Sequence, residues 1–108
     1  MQSAVPRNEW EPFFDRMSKS LLGKRAEIKV AALDLGDQIT VEWVPMIGIS
    51  YDSKENVLDV TLDRFEHLIH HSKEVLTDEV DGTLASVAIR DADGATQIVR
   101  MKDRLPAS

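Results

Sequence analysis

The periodicity of the apolar residues changes once along the chain, close to residue 24, and this change limits the folds that are available. Before that point the apolar positions recur every three or four residues, which is the pattern of an amphipathic helix. The helical stripe consists of Trp10, Phe13, Phe14, Met17 and Leu21. From Arg25 onward apolar residues alternate with polar ones, which is typical of half-buried strands. The sequence therefore predicts one N-terminal helix followed by a series of strands.

The ends of the predicted helix carry capping signals. Asn8 with Glu11 three residues later matches a capping box. In an alternative, Glu11 is the N-cap and Pro12 takes the first helical position, where a missing N–H costs nothing. Gly23 is expected to end the helix because glycine readily adopts the left-handed conformation of a C-terminal cap.

Short turns separate the alternating segments, and short turns favour antiparallel pairing. The predicted strands lie near residues 28–30, 39–43, 47–51, 57–62, 67–70, 74–79, 85–90 and 96–101. The predicted turns are 34–37, 52–56, 81–82 and 91–94. The fold class is α+β: an N-terminal amphipathic helix packed on a coiled, mostly antiparallel β-meander of about seven or eight short strands, with a partly closed barrel as one form.

Residues 62–72 admit two interpretations. Asp63 with Glu66 imitates a capping box, and Phe65, Leu68 and Ile69 lie at a spacing that a helix could bury. The flanking segments are strands, so a strand is favoured here.

A length of 108 residues is enough for one hydrophobic core. The expected organisation is a flexible tail at 1–7, one α+β domain at 8–104 and a C-terminal tail at 105–108.

No uncharged run approaches the roughly 20 apolar residues of a membrane span, and the first residues lack a secretory pattern. We therefore expect a cytoplasmic protein without a membrane partner. The absence of cysteine excludes disulfides and thiolate metal sites.

The net charge of −6 is unevenly distributed. Residues 31–99 hold four basic and fourteen acidic side chains, whereas both flanking segments are slightly basic. An acidic field of this kind disfavours a nucleic-acid partner, whose phosphates need Lys and Arg. A solvated acidic surface is the simplest interpretation, and a basic partner or a cation is the alternative. Many of the acids stand in turns, so part of the charge follows from making hairpins.

The histidines at the end of the fifth predicted strand suggest a metal site. On a strand, His67 and His71 face the same way and His70 faces the other, so we name His67 and His71 as candidate metal ligands. A calcium loop at Asp91–Gly94 is rejected because the later ligands are absent, and a hairpin turn is predicted there instead.

Four polar residues are candidates for a small-ligand site between the helix and the rolled sheet: Asp37, Tyr51, Asp52 and His67. No nucleophile elbow, phosphate loop or metal motif accompanies them, so no catalytic residue and no cofactor are expected. Trp10 and Trp43 are predicted to be core residues, with exposure of one of them on a partner surface as the alternative.

Five segments of this chain, taken in order, resemble a family of small uncharacterised bacterial proteins classed as a domain of unknown function. The segments are Trp10–Asp15, Asp34–Gln38, Gly48–Asp52, His67–Ile69 and Asp91–Gly94. The resemblance covers residues 10–104 and implies a stand-alone bacterial domain. It brings no activity, cofactor or catalytic residue. The chain departs from the family pattern at 70–73, where His-His-Ser-Lys replaces a proline-containing bend.

The leading functional hypothesis is a non-enzymatic module that forms a homo-oligomer or docks a protein partner, through the acidic middle or a sheet edge. The alternative is a small-ligand or metal-binding protein. A hydrolase is less favoured, because it needs carboxylates or histidines that converge in one cleft.

Overall fold

One sheet collects the alternating segments of the sequence. The computed structural model describes residues 2–32 and 36–106. Within these residues a 3-10 helix, Arg7–Glu9, leads into α1, Trp10–Leu21. The strands are β1 Gln2–Ala4, β2 Arg25–Ala32, β3 Gly36–Asp52, β4 Val57–Leu62, β5 Phe65–His70, β6 Ser72–Val80, β7 Thr83–Asp91 and β8 Thr96–Pro106. The predicted α+β class with an antiparallel sheet is confirmed.

The sheet consists of two meanders joined edge to edge. Its strand order is β1-β6-β7-β8-β2-β3-β4-β5, and the paired strands are antiparallel. Strands β2 to β5 form one meander and β6 to β8 the other, with the pairing of β2 and β8 between them. Residues 2–4, expected to be part of a tail, instead pair with β6.

The sheet is strongly curled because one residue connects two distant strands. β5 is an outermost strand and β6 lies next to the opposite edge, yet only His71 separates them in the chain. His71 has a φ of 56°, its N–H donates to Asn56 O at 3.1 Å, and its carbonyl accepts from Ala92 N–H at 2.9 Å. Within the described residues no ladder joins β5 to β1, so the curled sheet is not a closed barrel.

The apolar stripe of α1 faces the interior as predicted. Trp10, Phe14, Met17 and Leu21 are buried, and Phe13 packs partly against the same core. Gly23, with a φ of 80°, follows the helix as expected.

Both predicted N-caps of the helix are wrong. The N-cap is Glu9, and no side-chain capping bond is made there because the preceding 3-10 turn leads directly into the helix. Pro12 falls within the first turn, where backbone N–H groups have no intrahelical acceptor.

α1 also covers an edge of the sheet. The second half of β3 pairs with β4 on one side only, since β2 begins opposite Pro45. On the open side, Ile49 N–H donates to Ser18 Oγ at 2.7 Å, and the same hydroxyl donates to Ile49 O. Gly23 N–H donates to Met46 O at 2.8 Å next to it. The helix thus supplies the partners that a further strand would have provided.

β3 merges two predicted strands, 39–43 and 47–51, into one strand of 17 residues. Three bulges bend it: Thr40 is the extra residue between the partners of Ile28 and Lys29, Glu42 and Trp43 together oppose Glu27 of β2, and Ile47 is the extra residue opposite β4. The bends let one strand belong to both halves of the curled sheet, so no turn is needed between them.

Trp43 is not a core residue, which corrects one of the two tryptophan predictions. Trp10 is buried and its indole N–H donates to Val5 O at 2.8 Å. Trp43 is only half-buried, because its bulge at a φ of 52° turns the side chain away from the interior.

The other local predictions concern turns and residues 62–72. The strand interpretation of residues 62–72 is confirmed by β5. The 81–82 and 91–94 turns are present, with positive φ at Gly82 and Gly94. Asp91 Oδ1 accepts the N–H groups of Asp93 and Ala95, which is the local role that turn carboxylates favour. The predicted turn at 34–37 lies largely outside the described residues.

Removal of the Ser18 hydroxyl should weaken the fold. Ser18→Ala leaves the Ile49 N–H without its acceptor beside a packed helix, so we expect a loss of about 1–2 kcal/mol in the free energy of unfolding. Urea denaturation measures this loss. Ser20→Ala in the same helix is the control, and an equal loss in both variants would contradict the assigned role of Ser18.

Candidate functional site

The outer edge of β5 is one of the two exposed edges of the sheet. β5 pairs with β4 through a hairpin whose two loop residues are Asp63 and Arg64, the latter with a φ of 64°. No strand lies beyond β5 among residues 2–32 and 36–106. The opposite outermost strand, β1, has only 3 residues. β5 is therefore the longer of the two exposed edges.

Alternation along the hairpin determines which backbone groups of β5 face outward. A two-residue loop makes Leu62 and Phe65 a hydrogen-bonded pair, and pairing to β4 then recurs at every second residue. The N–H and C=O groups of Glu66, Leu68 and His70 consequently point away from β4. These three residues offer six backbone groups to a further strand.

Apolar side chains accompany this unpaired edge. Leu68 is 44% exposed and Phe65 is 41% exposed, and they lie on opposite faces of the sheet. The strand contains neither Pro nor Lys, and no bulge interrupts its pairing with β4. Proline, lysine and bulges are features that usually protect an edge strand from pairing with another chain.

Two carboxylates lie side by side on the outer face next to this edge. Asp59 is opposite Leu68 in the β4–β5 register, one diagonal step from Glu66. A side-chain hydrogen bond with Asp59, together with its negative charge, raises the pKa of Glu66 above the usual value. A cation near Glu66 would relieve this repulsion.

His67, predicted as both a ligand group and a metal ligand, points to the interior side of β5. Its Nε2 is hydrogen-bonded to Oε1 of Gln97 on β8, which is itself buried. Its ring stacks on Phe65 with centroids 6.4 Å apart. The side chain thus bridges across the curled sheet.

Tyr51, another predicted ligand group, belongs to a hydrogen-bonded network at the corner between β5 and β6. Its hydroxyl donates to Asn56 Oδ1 at 2.9 Å, and its ring meets Trp10 edge-on at 5.2 Å. Arg7 donates to Ser72 O at 2.9 Å, and its guanidinium lies 4.4 Å from the centroid of the Trp10 ring. The network ties the N-terminal segment to the corner of the sheet.

This network could not be predicted from the sequence, because its members are distant in the chain and none belongs to a motif. Ser72 Oγ is buried there without a hydrogen-bond partner among the described residues.

The turn at 52–56 is present, since Asp52 Oδ1 accepts Lys54 N–H at 2.9 Å. The side chain of Asp37 lies outside the described part of the chain. Tyr51, Asp52 and His67 contact different groups, namely Asn56, the 52–56 turn and Gln97. A ligand site at these residues stays a prediction.

The two candidate metal ligands lie in different settings. His71 occupies the corner with positive φ and is exposed, whereas His67 contacts Gln97 inside the sheet. Among the described side chains, no group of three His, Asp or Glu residues is arranged to hold a metal ion. Metal binding by His67 and His71 stays a prediction.

A groove of about 620 Å³ lies on the outer face of β6, β7 and β8, beside Trp43 of β3. It is lined by Trp43, Asp78, Val80, Ala85, Ser86, Arg100, Met101 and Lys102. Arg100 is opposite Glu27 on one side and Ser86 on the other, and Ser86 is opposite Asp78. These four side chains form one row across β2, β8, β7 and β6.

Arg100 is the centre of this row. Its guanidinium carbon lies 5.8 Å from the centroid of the Trp43 ring, and Nη1 is 3.6 Å from Glu27 Oε1. The Glu27 side chain is 7% exposed while that of Arg100 is 61% exposed. Sequence reasoning missed Glu27 and Arg100 because their meeting depends on the register of β2 and β8.

Comparison with known proteins places the chain in a family. Residues 1–108 match a family of unknown function (DUF5335). The chain belongs to the DUF5335 family. An uncharacterized protein of Aquifex aeolicus (strain VF5) is 36% identical over 104 residues, which cover 95% of this chain and 94% of the relative. No solved structure matches the chain.

The expected resemblance to an uncharacterised bacterial family is thereby confirmed for this DUF5335 protein. The family description supplies no activity. In the described part of the chain, no helix has the length and apolar character needed to cross a membrane.

The repulsion between Asp59 and Glu66 makes a pH-dependent prediction for the DUF5335 chain. The raised pKa of Glu66 means that the folded state binds the proton more tightly than the unfolded state. This contribution to stability is present below the unfolded pKa and is lost as the pH rises through the folded pKa. We expect Glu66→Gln to raise the Tm at pH 7 and to leave it nearly unchanged near pH 3.

Thermal denaturation of dilute protein across this pH range measures the effect. Glu55→Gln, which removes an exposed carboxylate in the 52–56 turn, is the matched control. An equal rise in Tm from both variants would attribute the effect to net charge rather than to Asp59.

Proposed function

We propose that this protein is an interaction module that self-associates by pairing the β5 strands of two copies. The observation that carries the proposal is the unpaired outer edge of β5, with six outward backbone groups and an exposed Leu68 at its centre. Exposed edges of this kind recruit a further strand, and a second copy is the partner whose edge is complementary.

The pattern of β5 supports one register above the others. An antiparallel pair with Leu68 opposite Leu68 of the second copy places Glu66 opposite His70 of that copy, twice by symmetry. Glu66, Leu68 and His70 of each strand then all form hydrogen-bonded pairs with the other strand. A shift by two residues in either direction leaves part of each edge unpaired.

Side-chain chemistry supports the same register. Leu68, Glu66 and His70 share the outer face of the sheet, so directly opposite residues contact one another. Each Glu66, whose pKa is raised by Asp59, gains an imidazole donor from the second copy. The exposed Leu68 side chains cover each other at the two-fold axis. The interface is isologous and closes as a dimer.

The alternative of a small-ligand site between helix and sheet has weaker support. Tyr51 and His67 are already engaged with Asn56 and Gln97, and the Asp52 carboxylate is used within its own turn. A ligand would have to displace these bonds.

Leu68→Pro tests the backbone pairing. Proline lacks the N–H that the second strand would use, while the pairing of β5 with β4 does not need the N–H of Leu68. We therefore expect the variant to fold and to remain monomeric. Light scattering after size-exclusion chromatography measures the mass, and circular dichroism verifies folding.

Leu68→Val is the matched control, because it keeps both the outward N–H and an apolar side chain. We expect it to dimerise like the unmodified chain. A monomeric unmodified protein at millimolar concentration, or a dimer of the proline variant, would refute pairing through β5.

The register has its own test in a charge exchange. In Glu66→Lys the introduced lysine faces His70 of the second copy, and in His70→Glu the introduced carboxylate faces Glu66. A mixture of the two variants places a lysine opposite a glutamate and keeps one native pair. We expect the mixed dimer to form about fivefold more tightly than either variant alone. Analytical ultracentrifugation of a labelled variant measures this, and equal affinities would exclude this register.

A further inference from the structure

The groove beside Trp43 lies on the outer face of β6, β7 and β8, away from the β5 edge. Its volume of about 620 Å³ falls in the range of small-molecule sites. The groove is therefore separate from the edge that would pair in self-association.

Trp43 is held in an unfavourable backbone conformation at the wall of the groove. Its φ of 52° is unusual for a bulky aromatic residue, and the bulge opposite Glu27 imposes it. Conformations of this kind persist where the surrounding structure fixes them, and they cluster at binding sites. The result is a half-buried indole ring placed on the outer face of the sheet next to Arg100.

The acidic side chains of the groove are already engaged. Glu27 is buried beneath Arg100 and lies 3.6 Å from its Nη1. Asp78 interacts with another group of the chain. The buried Glu27 carboxylate is therefore not presented at the mouth of the groove.

The basic side chains are available. The Arg100 side chain is 61% exposed, and its Nη1 lies 3.6 Å from Glu27 Oε1, a distance longer than a hydrogen bond. Lys102 makes no hydrogen bond or ion pair with the described residues and is exposed. The Ser86 hydroxyl, opposite Arg100 in β7, is a further donor. An acidic protein thus presents a local set of cationic and neutral donors around an aromatic ring.

We infer that the Trp43 groove binds a small molecule that carries an anionic group, a phosphate or a carboxylate, on a planar ring. The guanidinium of Arg100 is oriented by Trp43 and Glu27 and can donate a pair of parallel hydrogen bonds to the anion. Lys102 adds a second positive charge. The planar ring packs against the indole of Trp43.

Titrations with adenosine monophosphate, adenosine, inorganic phosphate and benzoate test the inference. We expect adenosine monophosphate or benzoate to shift the NMR signal of the Trp43 indole N–H, with saturation, and to leave that of the buried Trp10 unchanged. A response to adenosine monophosphate alone identifies phosphate as the anion, and a response to benzoate identifies carboxylate. If adenosine or phosphate alone binds as tightly, the requirement for both parts is overturned.

Arg100→Gln should weaken binding about tenfold or more, because a charge-assisted pair of hydrogen bonds is lost. Arg16→Gln, an exposed arginine of α1, is the charge-matched control and should bind like the unmodified chain. Since Arg100→Gln leaves Glu27 without its cation, the double variant Glu27→Gln/Arg100→Gln is measured as well. Undiminished binding by folded Arg100→Gln or by the folded double variant overturns the inference. So does the absence of any response of the Trp43 signal to the probes at about 10 mM.

Discussion

The link of a single residue between β5 and β6 governs the whole architecture. These strands lie near opposite ends of the strand order, so His71 can join them only if the sheet curls until its two ends approach each other. Its positive φ and its backbone bonds to Asn56 and Ala92 fix that corner. The curl creates an interior that the sheet alone does not fill. The aromatic and aliphatic stripe of α1 fills it, which explains why the one helix of the described chain carries Trp10 and Phe14.

A curled sheet that stays open has edges, and this chain treats them differently. α1 covers the open side of β3 through Ser18, so that edge is satisfied within the chain. β1 has only 3 residues, which is too short for extensive pairing with a further strand. β5 has neither a covering element nor the proline, lysine or bulge that usually discourages pairing. The protection of the β3 edge makes the exposure of β5 informative, because the fold contains the means to cover an edge and does not use it there.

The sequence was sufficient to predict most of the secondary-structure elements. It was insufficient to predict which side chains of different elements contact one another. Period-three-to-four and period-two patterns identified α1 and the strands from β2 to β8, since both patterns are local consequences of one buried face. β1 was missed because three residues carry no periodicity. Bulges at Trp43 and Ile47 were invisible for the same reason, so β3 was divided and Trp43 was assigned to the core. The Tyr51–Asn56 and Glu27–Arg100 contacts depend on register and curl, which no local pattern specifies. Candidate residues could be named from chemistry, but their partners could not.

Charge decides what kind of assembly an open edge permits. Parallel, in-register stacking of β5 strands would place Glu66 beside Glu66 of the next copy, with Asp59 already close on the same face. Each β5 has only one free edge, because β4 occupies the other, so pairing through β5 ends at two copies in either orientation. The repeated carboxylates oppose the parallel orientation. The two-fold antiparallel arrangement instead puts Glu66 opposite an imidazole and consumes both β5 edges in one step. What then remains at the ends of the joined sheet is β1, with only 3 residues to offer. The carboxylate pair thus disfavours the parallel orientation of two β5 strands and leaves the antiparallel one, in which each Glu66 faces an imidazole.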